Sequence, residues 1–156
     1  GVPEGATKLG ILTQHKWAKE SLDYAPGSHV LPMGRGKPKD HGAPKDKYFV
    51  GQPKGKVIIL EDVTTTGGSL LSTIDALKEA GITVIAALGI TNRMELRDDK
   101  QSVKQAVEAK GIPYYALSDA FQLLPEVYKR LKPGEEIAKA IEKEFQEFGV
   151  EKLNLL

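Results

Sequence analysis

Val57-Ile58-Ile59-Leu60-Glu61-Asp62-Val63-Thr64-Thr65-Thr66-Gly67-Gly68-Ser69 is the stretch that decides the fold of this chain. Four consecutive apolar residues, Val57–Leu60, read as a strand buried on both faces. Two acids follow where that strand emerges, and then a turn of threonine, glycine and serine. A helical pattern starts at Leu70. Such a turn between strand and helix offers backbone N–H groups, hydroxyls and a helix N-terminus to one anion. The acids would repel a bare phosphate, so they need another task. Holding the hydroxyls of a sugar that carries the phosphate is one, and the site reads as one for a ribose 5-phosphate. It is not the loop of nucleotide hydrolases, which needs Gly-Lys-Ser/Thr, because no lysine lies between Lys56 and Lys78.

Outward from this stretch, strand and helix patterns alternate. A helical pattern spans about Thr7 to Lys19, a strand His29–Met33, and a helix Ser69–Ala80 with Leu70, Leu71, Ile74 and Leu77 inward. Gly81 is a natural stop for that helix. Thr83–Ile90 is a second buried strand, Asp98–Lys110 an amphipathic helix and Ile112–Leu117 a third strand. Ser118 is the expected cap of a helix to about Leu131. Pro133-Gly134 ends it, and a last helix runs from Glu135 to Phe148. The tail, Val150–Leu156, is left as a short edge strand or disorder. Alternation of this kind with apolar strands predicts an α/β fold, a parallel sheet with helices on both faces, in one domain over 1–156. Ligands of such sheets lie at the carboxyl ends of the strands. Glu61–Ser69, the residues after Ile90 and the loop after Met33 are all placed there.

At 156 residues, 40% hydrophobic and 28% charged, the chain suits one domain with a real core. Its longest apolar run, Val84–Ile90, is too short to span a bilayer, so no membrane is expected. The opening Gly1-Val2-Pro3-Glu4-Gly5 lacks the basic and apolar regions of a secretory signal. With no cysteine, disulfides, thiol catalysis and Cys-based zinc sites are excluded, in keeping with a reducing cytoplasm. A net charge of +1 argues against a general nucleic-acid binder. Charge is uneven, however. Residues 34–56 hold Arg35, Lys37, Lys39, Lys45, Lys47, Lys54 and Lys56 against Asp40 and Asp46. Four glycines and three prolines between 34 and 54 make this a long mobile loop. His15 and His29 read as incidental, Trp17 and Tyr24 as packing residues, and Asp98-Asp99 as the start of a helix.

The arrangement of four apolar residues, two acids and a Thr/Gly loop resembles the phosphoribosyl-pyrophosphate (PRPP) motif of type I phosphoribosyltransferases. Arg35 followed by Lys39-Asp40-His41-Gly42 is similar to the catalytic loop of the orotate phosphoribosyltransferases, with Gly36 where that family commonly has a basic residue. Thr91-Asn92-Arg93-Met94-Glu95 resembles its Asp-Arg-x-Glu segment, with Asn92 for Asp. Gly1–Gly5 resembles its pyrophosphate loop, from which Glu4 and Gly5 depart. The helical hood and first strand that precede that loop in the family are not in this sequence.

The resemblance implies transfer of ribose 5-phosphate from Mg-PRPP to orotate, giving orotidine 5′-monophosphate and pyrophosphate in pyrimidine synthesis. It implies catalytic roles for Lys39, His41 and Asp62. It assigns PRPP to Arg35, Lys39, His41, Glu61, Asp62, Val63, Thr64, Thr65, Thr66, Gly67, Gly68, Ser69, Glu4 and Gly5, and orotate to Thr65 and Arg93. Mg²⁺ is the implied cofactor, held by PRPP and water rather than a protein cage. A homodimer whose loop acts in trans is implied as well, in the cytoplasm. Phosphoribosyl transfer to a purine and a catalytically silent PRPP sensor are the alternatives.

Overall fold

The computed structural model describes residues 4–35, 37, 39–41, 47–51 and 53–156. Along the chain come α1 (Glu4–Glu20), β1 (Met33–Gly34), β2 (Phe49–Val50), β3 (Lys56–Thr64), α2 (Gly68–Glu79), β4 (Thr83–Asn92), α3 (Val103–Glu108), β5 (Tyr114–Asp119), α4 (Ala120–Leu131) and α5 (Glu135–Glu147). The fold is α/β, with a parallel three-stranded sheet of order β3–β4–β5 and helices on both faces, as the alternation predicts. Two compact units divide these elements: residues 1–62 with 68–87, and residues 63–67 with 88–156.

In the first unit α1 is longer than its sequence pattern. It runs unbroken through Gly10, although a mid-helix glycine costs about 1 kcal/mol relative to alanine. Residues 29–32 form no strand. The His29 ring is held at Nε2 by the Ser21 hydroxyl (2.9 Å) and at Nδ1 by that of Ser28 (2.6 Å). Trp17 meets its edge at 4.4 Å. These local contacts tie the segment back to the end of α1. β1 and β2 pair antiparallel, Met33 with Val50 and Gly34 with Phe49. This pairing, with Tyr48 and Lys47 beside it, forms the arm at the base of the expected loop, of which residues 36, 38, 42–46 and 52 lie outside the described residues.

β3 continues past Leu60 through both acids to Thr64. Its burial alternates more than four apolar residues imply, since Ile59 is buried while Ile58 is half exposed. Successive side chains of a strand face opposite sides, and the two sides of β3 differ in burial. α2 presents Leu70, Ile74 and Leu77 to the core. It ends before Gly81, whose φ of +73° lets the chain turn into β4.

The second unit packs α3 and α4 on β5. α3 is much shorter than the expected helix 98–110. The Asp99 side chain accepts the Gln101 N–H (3.1 Å) and Lys100 takes φ +62°. This turn delays the helix until Ser102, whose hydroxyl and the Gln105 side chain form a capping box. Ser118 is not the cap of α4. Its hydroxyl donates to the Ile90 carbonyl (3.1 Å), and Asp119 caps by accepting the Gln122 N–H (2.9 Å). Phe121 and Phe145 stack edge to face, 5.3 Å apart, and join α4 to α5. The tail is neither strand nor disorder: Leu153 is buried, and the Leu155 N–H donates to Glu142 Oε1 (2.6 Å).

Candidate functional site

Glu61 and Asp62 occupy the last part of β3. The alternation that buries Ile59 also buries Glu61, which is 3% exposed. Among the described residues its Oε2 has no hydrogen-bond partner. Burial pushes the Glu61 carboxyl above its ordinary range; the neighbouring Asp62 adds to this, and the Ser69 hydroxyl opposes it. A buried acceptor without a donor is costly, so its retention needs a reason. Asp62 is half-buried. Gly5 lies against it, since a Cβ at this position would run into the Asp62 carboxylate. Glu4 and Gly5, expected in a loop, are instead the first turn of α1. Gly1, Val2 and Pro3 lie outside the described residues.

On the hairpin arm, the Arg35 N–H donates to the Tyr48 carbonyl and the Lys39 N–H to that of Lys47, both at 2.8 Å. Lys39 and His41 are exposed. Gly36 and Gly42 are outside the described residues. The returning limb is anchored on α2, where the Tyr48 hydroxyl donates to Glu79 Oε2 (2.6 Å) and Lys47 Nζ lies 3.4 Å from Glu79 Oε1.

Thr64, Thr65, Thr66 and Gly67 belong to the second unit and are fixed there at four points. The Thr64 hydroxyl bonds that of Tyr114 (2.6 Å). The Thr64 carbonyl accepts the Arg93 N–H (2.9 Å), and the Thr66 carbonyl accepts Arg97 Nη1–H (2.6 Å). Gly67 has φ +69°, and a Cβ there would stand 2.9 Å from Val103 Cγ1. Only Thr65–Gly67 separate β3 from α2. Gly68 and Ser69 begin that helix, and Val63 is half exposed.

Arg93 follows β4. Its Nη2 pairs with Glu95 Oε1 at 2.5 Å, yet 52% of the side chain stays exposed. The substitution of Asn92 for Asp has a local explanation: its buried Oδ1 accepts the Met94 N–H (2.9 Å) and sustains a φ of +58° at Met94. Asn and Asp serve equally in that turn. Arg93 and Glu95 also line a cleft of about 330 Å³ together with Leu123, Leu124, Ile141 and Phe145. Sequence reasoning missed Tyr114, Glu95 and Arg97. Glu95 was within the segment singled out, whereas nothing in the spacing marks a tyrosine 50 residues from Thr64. Among the described residues no three His, Cys, Asp or Glu side chains converge as a metal site, and no helix is long and apolar enough to cross a membrane.

A parallel sheet whose first long strand carries two acids near its carboxyl end and is followed by a three-residue Thr-rich turn and a helix defines the type I phosphoribosyltransferase core. No family model matches the chain. The orotate phosphoribosyltransferase of Bradyrhizobium diazoefficiens is 31% identical to it over 149 residues, covering 78% of this chain and 75% of that one. That of Bradyrhizobium sp. strain BTAi1 is 30% identical over 150 residues, with 78% and 76% covered. The chain belongs to the orotate phosphoribosyltransferase family. In fold it is similar to Leishmania donovani UMP synthase, with a TM-score of 0.57 and 18% identity over 90% of this chain and 33% of that one.

Proposed function

We propose that this chain transfers ribose 5-phosphate from PRPP to N1 of orotate, forming orotidine 5′-monophosphate and releasing pyrophosphate. The observation that carries the reading is Glu61, a buried carboxylate with an oxygen lacking a donor among the described residues, beside Asp62 near the carboxyl end of β3. Two ribose hydroxyls supply the donors that such a pair calls for. As N1 attacks C1′ and the bond from C1′ to the pyrophosphate oxygen breaks, positive charge develops on the ribose. The two carboxylates stabilise it. Thr64, Thr65, Thr66, Gly67, Gly68 and Ser69 cradle the 5-phosphate with hydroxyls and amides.

Arg35, Lys39 and His41 ride on the hairpin arm and neutralise the departing pyrophosphate when the arm closes. Arg93, oriented by Glu95 and half exposed, grips the orotate carboxylate through its planar guanidinium. Glu61 and Asp62 fit the outer shell of Mg²⁺, which when bound offsets the charge of the pyrophosphate. The chain acts as one core domain in a cytoplasmic homodimer, each arm closing over its partner's site.

The test is conversion of orotate and PRPP by the purified chain with Mg²⁺. Asp62→Asn and Lys39→Ala each lower turnover at least tenfold; an unchanged rate in either removes that residue's role. Mixing Lys39→Ala with Arg93→Ala subunits restores partial activity if arms act in trans. Competition by adenine or guanine in place of orotate would instead assign a purine acceptor.

A further inference from the structure

Arg97 has no place in the chemistry above, yet its side chain bonds the turn that follows β3. Its Nη1–H donates to the Thr66 carbonyl at 2.6 Å. The guanidinium is itself braced: Nε lies 3.3 Å from Asp99 Oδ2, while Asp99 Oδ1 accepts the Gln101 N–H at 3.1 Å. The Arg97 N–H donates to the Gln101 carbonyl (2.9 Å), closing the same turn. An arginine side chain 23% exposed and held at both ends is not a solvated surface group.

The consequence lies in the peptide plane. In a trans peptide the C=O and the following N–H point in opposite directions. Holding the Thr66 carbonyl on Arg97 therefore turns the Gly67 N–H the other way, away from the guanidinium. The neighbouring constraints leave that plane little freedom. Gly67 sits at φ +69° with Val103 Cγ1 filling the space a Cβ would need, and the Thr64 carbonyl is fixed by the Arg93 N–H.

We propose that Arg97 is a positioning residue for the phosphate turn, presetting the Thr66–Gly67 peptide so that its N–H meets the 5-phosphate of the sugar. The inference rests on the assignment of Thr64–Ser69 to that phosphate. It goes further in making the segment after β4 a support of the phosphate turn as well as a holder of the base, through the Arg93 backbone and the Arg97 side chain. A turn left to find its conformation would lose affinity to the ordering of those peptides, and a preset one does not.

Calorimetric titration of the full chain with ribose 5-phosphate, and separately with pyrophosphate, tests this. Arg97→Met, which keeps the stem and removes the donors, weakens ribose 5-phosphate binding about tenfold and leaves pyrophosphate affinity within twofold. Arg97→Lys, with one donor in reach, recovers part of the loss. Equal affinity of the parent and Arg97→Met for ribose 5-phosphate overturns the proposal, as does an equal loss for both ligands, which marks general unfolding. Failure of the parent chain itself to bind ribose 5-phosphate overturns the phosphate assignment and this inference with it.

Discussion

The hydroxyl of Thr64 lies 2.6 Å from that of Tyr114, buried, across 50 residues of sequence. The bond passes over Gly89 of β4, the strand between theirs, where a Cβ would stand 2.9 Å from Tyr114 Oη. It fixes the last residue of β3, from which the phosphate turn departs.

Tyr114→Phe leaves the Thr64 hydroxyl buried without this partner and destabilises the chain by about 1–3 kcal/mol. At this chain length that is a fall in Tm of several degrees. Thr64→Val combined with Tyr114→Phe costs less than the sum of the two single changes, because no unpaired group remains. Denaturant titration of the four proteins measures the coupling, and strict additivity would show that the pair carries none.

Gly89→Ala forces its methyl group toward Tyr114 Oη at 2.9 Å and the Thr64 side chain at 3.5 Å. Overpacking of this kind costs about 1–3 kcal/mol. The penalty shrinks in a Tyr114→Phe background, where the hydroxyl is gone. The same denaturation series reads it, and an equal penalty in both backgrounds would place the strain elsewhere.

Glu61 makes stability depend on pH in a direction opposite to that of a salt-bridged acid. Burial raises its carboxyl above the ordinary value of 4.5, so the folded chain holds that proton more tightly than the unfolded chain. This contribution to stability is present in acid and declines as pH rises from the ordinary carboxylate value through the raised one. Glu61→Gln removes the dependence. The variant is more stable than the parent at pH 7 by about 1–3 kcal/mol, and the gap closes near pH 4. Its affinity for PRPP falls at least tenfold. Unfolding curves from pH 4 to 8, with PRPP titration at pH 7, give both readings.

Tyr48→Phe removes the bond that ties the hairpin arm to Glu79 on α2. Tyr48 first, and Lys47 after it, hold the Glu79 carboxyl below its ordinary range, so the anchor persists throughout the neutral range and is lost only in acid. Limited proteolysis at pH 7 cuts the 34–54 arm of Tyr48→Phe several-fold faster than the parent's, with little change in Tm. Equal cleavage rates would show that the arm is held elsewhere.

The α/β architecture, the three sheet strands and the helices from α2 onward were legible in the sequence because apolar periodicity and glycine stops are local properties. Boundaries moved where a side chain competed with the backbone. Asp99 and Lys100 consumed the first turn of the expected helix 98–110, Asp119 displaced Ser118 as a cap, and His29 held its segment to α1 instead of a sheet. The candidate site was legible in part for the same reason. Glu61, Asp62 and the Thr/Gly turn are contiguous, whereas Tyr114 and Arg97 reach that turn only through the fold.

What the sequence determined by itself was the set of chemical groups and their order: two acids, a hydroxyl-rich turn, a basic arm and an arginine after the next strand. Those follow from residue type and periodicity, which operate over a few residues. The tertiary structure alone decided that Glu61 is buried with an oxygen unpaired among the described residues, that Gly5 touches Asp62, and that Arg97 grips the Thr66 carbonyl. Each depends on where distant backbone segments come to rest, and packing sets that position where no local pattern records it.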